Sequence, residues 1–262
     1  SFSRWNTYIQ HFFGSWVKLS ALCTLFIGVS YSLYALSTEP IPSNNGYMQM
    51  VSAGNSACGL RDDNTLWCWW KNTNGQLWIW KVDPYISVPH QVLWFPAWKK
   101  IRYVIMQDAN IAWDTSLFAL MDDGSVYAWW LNLSPNLNIY WLLGIGDTTN
   151  AFVTTPTLVP LPAGKVAQKI ISFTLSIDPS IYVLMTDGTL YWWGSNWLGK
   201  LAVGSTSDVI SIPTQVVGFS SGTTVTDIAT LAQKTTYGYV PIYATLSDGT
   251  LWAWWSNECS GS

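Results

Sequence analysis

The sequence has little charge. Asp, Glu, Lys and Arg make up 10% of its 262 residues, and the formal net charge is −3. Twelve basic residues in a chain of this length form no Lys/Arg patch able to neutralise a row of phosphates, which excludes nucleic acid as an expected partner. Histidine is scarcer still. His11 stands beside a long apolar segment and His90 inside a Pro-x-x-Val strand, so neither a Ser/His/Asp site nor a His-based zinc site has its parts. No catalytic residue, metal ligand or cofactor is expected, and the chain reads as a non-enzyme.

What is abundant is apolar surface: 49% of the residues are hydrophobic, and there are nineteen tryptophans. The longest apolar run is near the start. From Leu19 to Leu36 there is no charge, no proline and one glycine, Gly28. Extended back through Phe12, Phe13, Trp16 and Val17, it reaches the ~20 residues that cross a bilayer. The run is apolar all round, which favours a membrane helix over a buried core helix. Lys18 can snorkel to one interface and Tyr31 and Tyr34 suit the other. Arg4 and Lys18 precede the run, and the next basic residue is Arg61. The positive-inside rule then places the N-terminus in the cytoplasm and the rest outside. A cleaved signal peptide has the same polarity, but Leu22 spoils a lipoprotein cleavage site at Cys23, so an uncleaved anchor is the reading. The organisation expected is an N-terminal segment 1–36 with its membrane helix at about 14–36, a linker 37–49 rich in Pro, Ser and Asn, and a repeat region 50–262.

The repeat is read from Asp187-Gly188-Thr189-Leu190-Tyr191-Trp192-Trp193-Gly194-Ser195-Asn196. It recurs from Asp63, Asp123 and Asp248, at intervals of about 60 residues, the mark of a repeat architecture. Each copy has a short turn (Asp62-Asp63-Asn64 in the first) between two apolar, β-branched runs. The third turn residue is always Gly or Asn, the types that tolerate positive φ, as a three-residue hairpin loop requires. Each repeat is therefore centred on a β-hairpin, and a Pro-x-x-Val edge strand closes it, as in Pro89-His90-Gln91-Val92 and Pro213-Thr214-Gln215-Val216. The expected repeats run 50–102, 103–170, 171–224 and 225–262.

Around the first turn, Cys58 and Cys68 face each other across two strands, where later repeats place Phe118 opposite Ala128, Tyr182 opposite Trp192 and Tyr243 opposite Ala253. Facing residues of an antiparallel pair lie close enough to bridge. A disulfide fits an extracytoplasmic location; two free buried cysteines are the alternative. Cys23 and Cys259 have no evident partner.

Ser52-Ala53-Gly54, Asn74-Gly75-Gln76-Leu77 and Asp187-Gly188 through Asn196 together resemble the regulator-of-chromosome-condensation repeat, over residues 50–257. The resemblance implies an all-β fold, a β-propeller of four-stranded blades, here preceded by one N-terminal transmembrane α-helix. Exported bacterial members of that family often carry a cysteine pair spaced as Cys58 and Cys68 are. Two departures stand out. Trp70, Trp130 and Trp255 occupy a glycine position of the pattern, and Trp78 and Trp80 occupy its Gly-x-Gly. Bulky side chains there should clash or force a different turn. Three repeats and half of a fourth are present, and because an open edge is avoided, further repeats are expected beyond Ser262.

Other signals are weaker. Gly194 to Leu201 imitates a phosphate loop but has Leu201 where a Ser or Thr should bind magnesium. Asp62-Asp63 and Asp122-Asp123 could suggest calcium, though acids at turns are usually solvated. Asn132-Leu133-Ser134 is a glycosylation sequon followed by Pro135. The aromatics Trp78, Trp80, Trp94, Trp98, Tyr140 and Trp141 fall between strands or at edges, as interface anchors, a sugar-stacking platform or gap fillers between blades. The function expected is non-catalytic: a membrane-anchored propeller, periplasmic or extracellular, that binds protein as a scaffolding accessory subunit and partners other membrane-complex subunits. The alternatives are a cell-surface protein recognising a glycan or foreign protein, and a guanine-nucleotide-exchange-like regulator.

Overall fold

The computed structural model describes residues 46–72, 84–93, 95–96, 98–108, 115–132, 143–175, 178–196, 209–230 and 242–254. The expected membrane helix at 14–36 lies outside them. Among the described residues, no helix is long and apolar enough to cross a membrane.

Those residues form four antiparallel sheets, each a meander in chain order. The first holds β1 (Tyr47–Ala53), β2 (Ser56–Arg61), β3 (Leu66–Lys71) and β4 (Tyr85–Gln91). The second holds β5 (Ile101–Asp108), β6 (Thr115–Met121), β7 (Val126–Leu131) and β8 (Phe152–Leu158). The third holds β9 (Ala167–Leu175), β10 (Asp178–Met185), β11 (Leu190–Ser195) and β12 (Val209–Gln215). The fourth holds β13 (Val225–Thr230), β14 (Ile242–Leu246) and β15 (Leu251–Trp254).

The apolar runs explain the stacking. β6 is buried at every residue, so both of its faces are covered. The outer strand β8 has only exposed and half-buried residues, as an edge does. Three apolar layers result, one between each sheet and the next. Trp129 lies in the first, Trp193 in the second, and Tyr182 and Trp192 in the third, all fully buried. The first strands also run side by side, β1 by β5, β5 by β9 and β9 by β13.

Each hairpin is closed by its aspartate. One carboxylate oxygen accepts the backbone N–H two residues on, at 2.9 Å for Asp63 and Thr65, 2.9 Å for Asp123 and Ser125, 3.0 Å for Asp187 and Thr189, and 2.9 Å for Asp248 and Thr250. The third turn residue is left-handed throughout: φ is 65° at Asn64, 78° at Gly124, 78° at Gly188 and 83° at Gly249.

A second left-handed site lies in the third strand. Pairing slips between Cys68 and Trp70, between Ala128 and Trp130, and between Trp192 and Gly194, a bulge at the same place in three sheets. Gly194 has φ of 110° there. Trp130 was expected to clash or to force another turn, and it does not change the turn: its φ is 91°. Ladder bonds on both sides fix the backbone, so the tryptophan takes the glycine conformation.

Cys58 and Cys68 are cross-strand partners with Cα atoms 4.1 Å apart, and they form a disulfide with both side chains fully buried. The bridge closes a short loop, so replacing the pair (Cys58→Ala with Cys68→Ala) should cost about 2 kcal/mol. Urea unfolding measures this, and a reducing agent added to the unaltered chain should produce a similar loss.

Candidate interaction surface

The short turns share one end of the sheets with the crossings between them. The residue that opens each turn donates its backbone N–H to the residue just before the sheet's first strand: Asp62 to Gly46, Asp122 to Lys100, Thr186 to Val166 and Ser247 to Thr224, at 2.8 to 3.0 Å. Two crossings add a lysine. Lys99 Nζ sits 2.8 Å from an Asp123 carboxylate oxygen, donates to Ser125 Oγ at 2.8 Å and lies 5.4 Å from the centre of the Tyr127 ring. Lys165 pairs with Asp187 in the same way and donates to Thr189 Oγ1 at 3.2 Å.

These bonds account for the turn acids. The lysine ammonium, then the Ser125 hydroxyl, holds Asp123 down at about 2, and Lys165 with Thr189 holds Asp187 at about 2. Side-chain and backbone N–H groups of Asn150 and Thr149 likewise lower the pKa of Asp147. The carboxylates are acceptors within the turns, and among the described residues no group of three His, Cys, Asp or Glu is placed to hold a metal ion. His90 is equally occupied, with Nδ1 2.9 Å from the Val88 carbonyl oxygen. Asn132, the sequon residue, is fully buried and its amide donates to the carbonyls of Asp147 at 2.7 Å and Asn150 at 3.1 Å, so no glycan can be attached there without unfolding the segment.

The first strands carry a less regular feature. Gln49, Tyr103, Lys169 and Asp227 share one register position, each opposite the residue three before the turn aspartate. Gln49 clasps the next sheet by accepting from Val104 N at 2.9 Å and donating to Val104 O at 2.6 Å. Lys169 reaches the fourth sheet, donating to Asp227 and to the Ile228 carbonyl at 2.7 Å each. Tyr103 occupies this position in the second sheet and is 43% exposed, while its neighbour Arg102 donates to the Gln168 carbonyl. A cleft of about 280 Å³ opens between β5 and β9, lined by Arg102, Tyr103, Leu120, Gln168, Lys169 and Ile170. With a guanidinium and a phenol above an apolar floor, it suits an anionic or hydrogen-bonding side chain of a partner.

Of the six aromatics expected at an interface, Trp98 is described and is 82% exposed, in the crossing from β4 to β5. Trp78, Trp80, Trp94, Tyr140 and Trp141 lie outside the described residues. Sequence reasoning missed the cleft. Its available signal was Tyr103 at a register position that the other repeats fill with Gln49, Lys169 and Asp227.

A family model, the regulator of chromosome condensation (RCC1) repeat, matches residues 187–230. Among solved structures, human WBSCR16 superposes with a TM-score of 0.61 at 18% identity, over 82% of this chain and 50% of its own. Yeast RCC1 (Prp20), in its crystal structure bound to Kap60, gives 0.50 at 17% identity, over 70% of this chain and 39% of its own. The chain thus spans half or less of the length of these two structures. Its four sheets share the β-propeller blade fold of these two structures.

Acid titration tests the Lys99–Asp123 contact. The carboxyl's pKa falls on folding, so its contribution is complete above the ordinary 3.8 and disappears as pH drops toward about 2. Asp123 is 48% exposed, so solvent screens the pair and the effect is small. Thermal melts of Asp123→Asn should show a shallower loss of stability across that window than the unaltered chain.

Proposed function

We propose that this chain is a non-catalytic protein-binding module, a propeller tethered to a membrane by its N-terminal segment and serving as a scaffolding accessory subunit of a larger membrane complex. The observation that carries the binding role is the cleft between β5 and β9, where Arg102, Tyr103 and Lys169 meet at a rim fixed by the sheets behind it. Rigid scaffolds that present variable surface residues are suited to recognition. The described acids that might do chemistry are engaged in turns: Asp123 and Asp187 hold lysines and hydroxyls. Yeast RCC1 (Prp20), of the same fold, is bound by a protein in its crystal structure. An extracytoplasmic position is supported by the charge distribution about residues 19–36 and by the Cys58–Cys68 disulfide, a bond that persists in oxidising compartments.

The alternative is a cell-surface receptor for a glycan, and half-exposed Tyr103 beside polar neighbours is the observation favouring it. Gentle solubilisation of the native membrane followed by affinity capture separates the two. Co-purifying membrane subunits are expected, with recovery falling about tenfold for Tyr103→Ala, a loss typical of an interface anchor, while the melting temperature holds. A free monomer whose melting temperature rises with a carbohydrate would overturn the scaffold reading in favour of the glycan one.

A further inference from the structure

We propose that the protein as its own organism makes it carries glycine at a set of positions written here as tryptophan, position 130 foremost, because that organism reads one codon as glycine. Trp130 lies at the same offset from its turn aspartate as Gly194, in the same bulge, with φ of 91° against 110°. Its indole is wholly buried and its N–H is unpaired, a lack it shares with Trp129 and Trp192. A left-handed backbone is rare for any residue bearing a β-carbon, and for a bulky one it is an outlier. Trp70 and Trp255 share the offset.

The chain supplies its own comparison at other sites. Leu77-Trp78-Ile79-Trp80 answers Leu143-Gly144-Ile145-Gly146, whose glycines have φ of 69° and 76°. A β-carbon on Gly144 would come within 2.6 Å of the Trp193 ring, so nothing larger fits that turn. Val92-Leu93-Trp94-Phe95 answers Val216-Val217-Gly218-Phe219, where Gly218 has φ of 105°. The two phenylalanines hold the same place, Phe95 edge-on to Trp129 at 5.6 Å and Phe219 edge-on to Trp254 at 6.1 Å. Pro96-Ala97-Trp98-Lys99 answers Pro162-Ala163-Gly164-Lys165, with Gly164 at φ of 77°. Both turns are closed by the same bond, lysine N–H to proline carbonyl, at 2.9 and 3.0 Å.

Mutation at left-handed positions tends toward Asn and Asp, whose short side chains tolerate them. Asn64 follows that rule at φ of 65°. Tryptophan does not, yet it is the replacement at site after site. UGA, a stop in the standard code, means tryptophan in some organisms and glycine in others. A gene of the second kind read with the code of the first acquires tryptophan at its UGA glycines and keeps the rest, which matches a chain with 19 of each. Trp69, Trp129, Trp193 and Trp254 stay tryptophan, since every repeat has it there. The consequence reaches the interaction surface. Trp78, Trp80, Trp94 and Trp98 cease to be anchors, and binding falls to the cleft at Tyr103.

Tandem mass spectrometry of peptides from the protein purified from its source organism decides the matter. Glycine at positions 94, 98 and 130 beside tryptophan at 129 and 193 is expected, with UGA in the gene at the former and UGG at the latter. Tryptophan at position 130 in a native peptide would overturn the proposal. As a second measurement, the full recombinant chain with Trp94→Gly, Trp98→Gly and Trp130→Gly should melt higher than the chain as written. An equal or lower midpoint would remove the conformational basis of the inference.

Discussion

The structure depends on one packing requirement: a twisted sheet of four short strands has no core of its own and must be covered by the next sheet. The tryptophan just before the third-strand bulge meets much of that need. Trp129 and Trp193 are fully buried in successive layers. A buried tryptophan of this kind is worth about 3–5 kcal/mol against alanine. Trp193 can lie there because the connection from β7 to β8 offers it the bare backbone of Gly144. The glycine in one repeat is thus explained by the indole of the next, and the repeat is a unit of two halves contributed by neighbours.

That dependence sets which residues are free to vary. The turn aspartates, the hydroxyls they bind and the buried Asn132 are committed to closing their units. The first strands bear a lighter constraint. At one register position Gln49 and Lys169 reach across to the next sheet's backbone, whereas at Tyr103 the bond across is made by its neighbour Arg102 and a cleft remains beside it. A clasp of this kind contributes only about 1 kcal/mol per hydrogen bond, so its loss is tolerable where the layer beneath is apolar and continuous. Specificity can then be written on the first strands without disturbing the stack.

The repeat unit was legible because two signals coincide: a left-handed residue at a fixed place and alternating apolar strands on either side. The same register put Cys58 opposite Cys68, and the disulfide followed from facing positions. The cleft was not legible, because period-two patterning assigns a residue to a face but does not say which side chain of the adjoining sheet it meets. At Trp130 the turn expected to change is kept, because bonds to β6 on one side and β8 on the other hold the backbone in the conformation Gly194 has. Of the interface aromatics, sequence position gave exposure for Trp98 and no more.

The placement of the disulfide follows from the same stacking logic. Phe118 and Tyr182 stand where Cys58 does, and each lies in a sheet with described neighbours on both sides, filling the layer between them. Cys58 and Cys68 are fully buried in the layer that faces the second sheet, but they fill less of it than a ring does. A covalent link between β2 and β3 acts instead on the unfolded chain, and its contribution does not require a second sheet. The smaller pair in the layer is the one tied by a bond.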